Sequence, residues 1–412
     1  MTARTEPRDR STGSASVDAV LCFTRPEDVA PDPAAPHRLR ARTLAEDALL
    51  GVEAFDRRRC RIHDCAALAD LRPSLRVHGF SHADLSDHVA LQRALERIRV
   101  AGRLEEPDVA ALRRHLQGAA LRLADGRRLR ILYVAPEGLL MRSAGPDGRS
   151  VRLGAGPRGL SDHDAAMAVH ADQDVTGTPV KQILRRTAPL LFHHDSPGHQ
   201  NRRSPLHLVN LWIPLQQVTR PLALMDRRTL DRGRHQLCYG LPTDGFLERA
   251  ADRRVNDIWT FLHDPGQRWY FTSEMDARTA YVFDTLSTPH AAFVLPGEAR
   301  AAQLDDRLSA ALAAIAASDE AALRRAARPL EPDADADART PALARAVDAM
   351  AALVDEARRL SLADDAAVEA FCERARAARD RVVRRSLELR AVGLMLPSWW
   401  PQARRRLPAA RG

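Results

Sequence analysis

The chain has 412 residues, enough for one large domain or two, and its 62 basic and 54 acidic residues leave a net charge of +8. Almost all the basic residues are arginine, with Lys181 the only lysine, and acidic residues lie between them, so this charge does not indicate nucleic-acid binding. The sequence has no run of 18 apolar residues and no apolar signal core, so we expect no membrane span and a cytoplasmic location.

The cysteines argue against a disulfide framework, because five of them are scattered along a long chain. Cys60 and Cys65 are close in sequence, but a structural zinc site needs a second pair of ligands at a suitable distance. The sequence shows no such pair, so we expect reduced thiols.

The first half of the chain begins with a polar segment, residues 1–16, that has too little apolar content to order itself. A short strand is predicted over residues 17–23. Leucine and alanine then recur at spacings of three and four, which predicts helices over 81–100 and 107–123. Alternating apolar residues follow at 129–133, and a hairpin is predicted from 139–142 to 151–153.

Short strands separated by Pro, Gly and Asp turns continue to about residue 297, a pattern typical of a double-stranded β-helix, the jelly-roll or cupin-like fold. After residue 300, helical spacing predicts helices over 304–317, 320–327, 340–360 and 364–389. We therefore expect an α+β protein with a tail (1–16), a β-helix domain with N-terminal helices (17–300) and a helical C-terminal section (301–412). That last section could pack on the core, close a pocket or form a homodimer.

The strongest chemical signal is His170-Ala171-Asp172, followed about 120 residues later by His290. Residues i and i+2 of a strand point to the same side, so His170 and Asp172 can grip one metal ion together. Two imidazoles and one carboxylate can occupy one face of Fe(II) and leave the opposite face open. The triplet alone is a weak signal in a chain with 15 histidines and 54 acidic residues.

The segments that lie between this triplet and His290 strengthen the prediction of a metal site. The segments N-L-W-I-P-L (210–215), P-L-A-L-M-D (221–226), R-W-Y-F (268–271) and F-D-T (283–285) precede Pro289-His290 in that order. Over residues 165–300 this series resembles the iron and 2-oxoglutarate oxygenases related to the cephamycin methoxylation protein, the CmcJ-like family. A more distant likeness to phytanoyl-CoA hydroxylases rests on the tryptophan strand and on an arginine ten positions after the distal histidine.

The resemblance implies that His170, Asp172 and His290 are the iron ligands, with 2-oxoglutarate and O2 as co-substrates. It implies oxidation of a small molecule by hydroxylation, desaturation or cyclisation, in natural-product biosynthesis. Two alternatives remain open. One is a metal-dependent hydrolase that holds zinc with the same triad, and the other is a non-catalytic binding protein that retains the fold.

The resemblance also assigns co-substrate contacts to Trp212 and Asn210, and it places Arg300 where related enzymes bind the distal carboxylate of 2-oxoglutarate. A guanidinium suits such a bidentate partner. The chain departs from its relatives here, with P-G-E-A-R-A-A over 296–302. Arg307 is therefore the competing candidate, and the plainer alternatives are that Trp212 is a core residue and Arg300 a solvated helix residue.

Overall fold

The computed structural model describes residues 15–32, 35–41, 55–146, 160–161, 165–172, 204–242, 255–333 and 335–396. Residues 1–14 of the predicted tail and the second arm of the predicted hairpin, 151–153, lie outside these ranges.

The described residues form sixteen strands, which are β1 (Ser16–Phe23), β2 (Val29–Asp32), β3 (Ala35–Ala41), β4 (Asp56–Asp64), β5 (Phe80–Asp84), β6 (Ala120–Leu123), β7 (Arg128–Ala144), β8 (His170–Ala171), β9 (Leu206–Gln216), β10 (Leu222–Met225), β11 (Gln236–Pro242), β12 (Val255–Phe261), β13 (Trp269–Phe271), β14 (Thr279–Asp284), β15 (His290–Ala292) and β16 (Arg384–Leu396). Their α-helices are α1 (Val89–Ala101), α2 (Glu106–Leu116), α3 (Arg232–His235), α4 (Glu298–Ala316), α5 (Glu320–Ala326), α6 (Pro341–Ala357) and α7 (Asp365–Arg381).

The strands make two sheets. One sheet has the order β1-β4-β13-β10-β15-β8-β12-β11-β3-β2, and the other closes into a barrel in the order β14-β5-β6-β7-β16-β9. From β7 to β10 the chain alternates between barrel and open sheet, and after the β11–β12 hairpin and β13 it alternates again from β14 to β16. This alternation defines a double-stranded β-helix, so the predicted α+β fold with a jelly-roll core is confirmed.

Strand β9 shows how the two layers of core are divided. Trp212 faces the open sheet and packs in one cluster with Leu224 and Tyr270 of that sheet. Its neighbours Leu211 and Ile213 face the other way and pack in a second cluster with helices α1 and α2. Because side chains alternate along a strand, one face of β9 is available to a site between the sheets.

The last strand corrects the sequence analysis, which expected helix as far as residue 389. Helix α7 ends at Arg381, and β16 then pairs antiparallel with both β7 and β9. In β16 the buried leucines Leu387 and Leu389 face the cluster formed with α1 and α2, while the alternate positions Arg384, Ser386 and Glu388 lie on the opposite face. The helical section α4–α7 therefore lies between β15 and β16, and the chain returns from it to the barrel.

The N-terminal helices are shorter than expected. The predicted helix 81–100 begins at Val89, because residues 80–84 pair as β5 with β14 and β6. The predicted helix 107–123 ends at Leu116, and residues 120–123 pair as β6 with β7.

The helical section packs against the open sheet. Leu304, Leu308, Met350 and Phe371 from α4, α6 and α7 share one buried cluster with Trp259 of β12. None of the helices in the described part of the chain is both long and apolar enough to cross a membrane.

Candidate metal centre

The structure brings His170, Asp172 and His290 together between the two sheets. Each offers one ligand atom, and these atoms lie within 4.8 Å of one another. Strands β8 and β15 pair antiparallel with His170 directly opposite His290, and Asp172 follows β8. The i, i+2 spacing in the sequence links only His170 and Asp172. The pairing of β8 with β15, two strands distant in sequence, brings His290 to them.

The distances suit a small divalent ion. Asp172 Oδ1 lies 3.7 Å from His290 Nε2 and 3.9 Å from His170 Nε2, and the two imidazole centres are 4.3 Å apart. Metal bonds to nitrogen and oxygen of about 2.0–2.2 Å bring neighbouring ligand atoms to about 3 Å from each other. Closure by less than an ångström on each side would therefore allow all three atoms to bind one ion.

Backbone carbonyls orient both imidazoles. His170 Nδ1 lies 2.8 Å from the Ala168 carbonyl oxygen, and His290 Nδ1 lies 3.0 Å from that of Thr288. A carbonyl only accepts, so each Nδ1 is the donor and each Nε2 lone pair is directed at the centre. Burial, followed by the neighbouring His290, lowers the pKa of His170 to about 4, so His170 is neutral and able to coordinate at pH 7.

Asp172 is held as a carboxylate. Burial alone raises the pKa of its carboxyl, but Arg390, His290 and His170 together hold that pKa below its usual range. Arg390 Nη2 lies 3.5 Å from Asp172 Oδ1, and the Asn210 amide donates to Oδ2 at 3.0 Å. The structure thus places Asn210, which was expected at the co-substrate, against the carboxylate of Asp172, where it fixes the orientation of that side chain.

Trp212 lies two residues along β9 from Asn210, on the same face and fully buried. Its ring centre is 5.6 Å from that of Tyr281 and 5.3 Å from the guanidinium carbon of Arg384. One wall of the candidate site therefore runs along β9 from Asn210, beside the cluster, to Trp212, and then to Arg384 of β16.

The structure places Arg300 and Arg307 on α4 and not on a strand beside the cluster. Arg300 is half-buried and donates to the Glu331 carbonyl oxygen at 2.9 Å, and half-buried Arg307 donates to that of Arg325 at 3.4 Å. The cause is local, because Gly297 adopts a left-handed φ of 83° and the chain turns into helix at Glu298.

The charged face of β16 was not predicted from the sequence. Arg384 is 1% exposed, and Nη2 donates to Ser386 Oγ at 2.9 Å. Among the described residues, no hydrogen-bond partner reaches its Nε or Nη1. Burial lowers the pKa of Arg384 to about 10, so it stays charged at pH 7. The signal was present in R-x-S-x-E-x-R over 384–390, where polar residues recur at every second position with Leu387 and Leu389 between them.

Other buried charges adjoin Arg384 and are already paired. Arg142 Nε donates to Glu388 at 2.5 Å, and Arg220 Nε lies 3.1 Å from Glu298 Oε2.

These two ion pairs form one group of charges with Arg384, Arg390 and Asp172. The group contains four guanidiniums and, if Glu298 is ionised, three carboxylates. Burial raises the pKa of Glu298 to about 7, so its protonation would only increase the positive excess. An anionic ligand would balance this charge.

The turn between β9 and β10 fixes where β16 begins. Gln216 Nε2 and Thr219 Oγ1 donate to the carbonyl oxygens of Val383 and Val382, at 2.8 Å and 2.7 Å. Arg220 in the same turn pairs with Glu298 at the start of α4. Both ends of the helical section are therefore held at this turn, and Arg384 follows directly.

Comparisons with known proteins give limited matches. The model of a family described as an oxidoreductase/YMDC permease-like domain matches residues 147–313. Among solved structures, the chain is similar to the iron and alpha-ketoglutarate-dependent endoperoxidase NvfI, at 14% identity and TM-score 0.40, covering 92% of this chain and 98% of that one. A different conformation of NvfI gives 13% identity and TM-score 0.44, with coverages of 93% and 98%. No curated protein matches the chain.

Proposed function

We propose that this chain is an Fe(II)- and 2-oxoglutarate-dependent dioxygenase that oxidises a small-molecule substrate. One observation carries the proposal: a cluster of two imidazoles and one carboxylate shares its wall with the buried guanidinium of Arg384, two of whose nitrogens have no hydrogen-bond partner among the residues that the structure describes. The cluster suits a ferrous ion with an open face, and the guanidinium suits a carboxylate.

His170, Asp172 and His290 are the residues that would hold the iron. Their environment fits that task, since both Nδ1 atoms are engaged by carbonyls and Asp172 is kept ionised. When bound together, iron, 2-oxoglutarate and O2 supply the oxidising chemistry that acts on a substrate C–H bond. The chain contributes ligand orientation and a water-poor wall formed by Trp212 and its aromatic neighbours.

Arg384 takes the place that the resemblance gave to Arg300. A dicarboxylate bound at one end to the metal needs a cation further along the same wall, and Trp212 lies between the cluster and Arg384. Arg142 and Arg220 are weaker candidates, because each already pairs with a glutamate. Arg384 instead has two nitrogens that no hydrogen-bond acceptor reaches within the described part of the chain, and a bidentate carboxylate would suit them.

This arrangement favours the oxygenase over the zinc hydrolase considered from the sequence. A hydrolase could use the same triad, but it has no need of a buried cation prepared for a second anion. A role in natural-product biosynthesis, a homodimer formed through the helices and a cytoplasmic location stay predictions from the sequence.

An anaerobic titration tests the proposal. Adding 2-oxoglutarate to the Fe(II)-loaded protein should produce a visible metal-to-ligand band that saturates, and the same addition to the Zn(II)-loaded protein should not. Under air, the ferrous protein should consume 2-oxoglutarate faster in the presence of its substrate, which a panel of small molecules can identify. Absence of the band, with Fe(II) demonstrably bound, would reject the oxygenase assignment.

A further inference from the structure

We propose that Gly79, Thr288 and Arg227 are positioning residues for His290, fixing the direction in which its Nε2 faces the metal. The inference rests on the proposed metal site and adds residues that do not touch the metal. Gly79 belongs to loop 76–79, which leads into β5, and Thr288 belongs to turn 284–288 between β14 and β15. Arg227 lies just after β10 and contacts both segments.

Thr288 connects these segments to the imidazole. Its carbonyl oxygen accepts from His290 Nδ1 at 3.0 Å, so the orientation of that peptide sets the rotation of the ring. The same residue is fully buried, its backbone N–H donates to the Asp284 carbonyl at 3.1 Å, and its Oγ1 donates to the Gly79 carbonyl at 2.8 Å. The carbonyl that orients the ring therefore belongs to a residue held at two points.

Gly79 permits this approach. Its φ is +92°, and a Cβ at this position would lie 2.6 Å from Thr288 Oγ1. Its carbonyl oxygen accepts from both Thr288 Oγ1 and the Asp284 N–H, the latter at 2.9 Å. A side chain here would push against the residue that orients His290.

Arg227 is 1% exposed and contacts both the loop and the turn. Its Nη1 donates to Ser287 Oγ of the turn at 3.3 Å. Its Nη2 and Nε donate to the carbonyl oxygens of Arg76 and Val77 in the loop. Nη1 also lies 3.9 Å from Asp284 Oδ2. A buried guanidinium is costly unless it is well paired, so its presence here indicates that the relative position of loop and turn is strongly fixed.

Cobalt(II) binding to the full-length chain tests the inference without turnover. Gly79→Ala should weaken Co(II) binding about 10–100-fold and alter the ligand-field spectrum, the usual scale for loss of support behind a ligand. Gly118→Ala is the matched control, because Gly118 also has a positive φ, +85°, but nothing lies within 4 Å of an added Cβ. It should suffer the same backbone strain and keep the affinity and spectrum of the unaltered chain.

A second pair of variants covers the case in which Gly79→Ala does not fold. Thr288→Val removes the hydroxyl and should weaken Co(II) binding, whereas Thr288→Ser keeps the bond to the Gly79 carbonyl and should bind like the unaltered chain. Equal Co(II) affinities and spectra for the Val and Ser variants would overturn the inference. If the unaltered chain itself fails to bind Co(II), the proposed metal site fails instead.

Discussion

The Arg384 guanidinium carbon lies 5.3 Å from the centre of the Trp212 ring, and both side chains are fully buried. The ring stabilises the cation on one side by cation–π attraction, while Nε and Nη1 have no hydrogen-bond partner among the described residues. In the function proposed above, this pair of side chains would bind the distal carboxylate of 2-oxoglutarate.

Arg384→Met should weaken 2-oxoglutarate binding to the anaerobic Fe(II) protein. Loss of a charge-assisted pair costs about 1.5–3 kcal/mol, which is about tenfold to a hundredfold or slightly more in Kd. Isothermal titration calorimetry measures the change. Arg300→Met is the control, since Arg300 lies on helix α4 and donates to the Glu331 carbonyl oxygen, and the Kd of this variant for 2-oxoglutarate should not change. The reverse result would restore the assignment made from sequence.

The same Arg384→Met variant should unfold no more easily than the unaltered chain when 2-oxoglutarate is absent. A buried guanidinium with unsatisfied nitrogens is a desolvation cost, and an apolar side chain of similar length removes that cost. Urea denaturation gives the free energy of unfolding, expected to be unchanged or higher. A loss of several kcal/mol would show that Arg384 is a structural partner of Ser386 and Trp212 and not a ligand site.

The contrast between Arg384 and Arg300 shows what the sequence could predict. His170 and Asp172 are two residues apart at the end of β8, a local relation, and His290 was found by its place in an ordered series. Arg384 lies beyond four helices, and only pairing of β16 with β9 brings it to the wall. The sequence of residues 384–390 also fits the end of an amphipathic helix, so local periodicity could not distinguish helix from strand. Pairing with β7 and β9 makes this segment a strand.

Asp172→Ala should abolish Fe(II) binding at micromolar concentrations, because Asp172 is the one carboxylate of the His170, Asp172 and His290 triad. Equilibrium dialysis under anaerobic conditions measures this, and circular dichroism should show an intact fold. Asp64→Ala removes a different buried carboxylate, one that accepts from the Ser273 N–H, and should leave Fe(II) affinity unchanged. Retained binding by the Asp172 variant would remove the metal assignment.

Leu389→Ala tests the strand that replaced the predicted helix. Leu389 is fully buried in the cluster formed with α1 and α2, so truncation should lower the free energy of unfolding by about 2–5 kcal/mol. Leu132→Ala, at a position 41% exposed on β7, should change it by less than about 1 kcal/mol. Equal, small effects in chemical denaturation would argue that residue 389 does not lie in the barrel core.

The metal-free protein should lose stability as the pH falls from about 6.5 to about 4. Burial lowers the pKa of both His170 and His82 to about 4 from 6.5, so in this window the unfolded chain binds more protons than the folded one. Each histidine contributes up to about 3 kcal/mol to the free energy of unfolding, and this contribution is fully present above pH 6.5 and lost as the pH approaches the folded pKa.

The variant His82→Gln tests this prediction, because it keeps a polar group beside Thr272 and removes one titrating site. Denaturation at several pH values should show a shallower slope of the free energy of unfolding against pH. An identical slope in that variant would show that His82 is not buried in its neutral form.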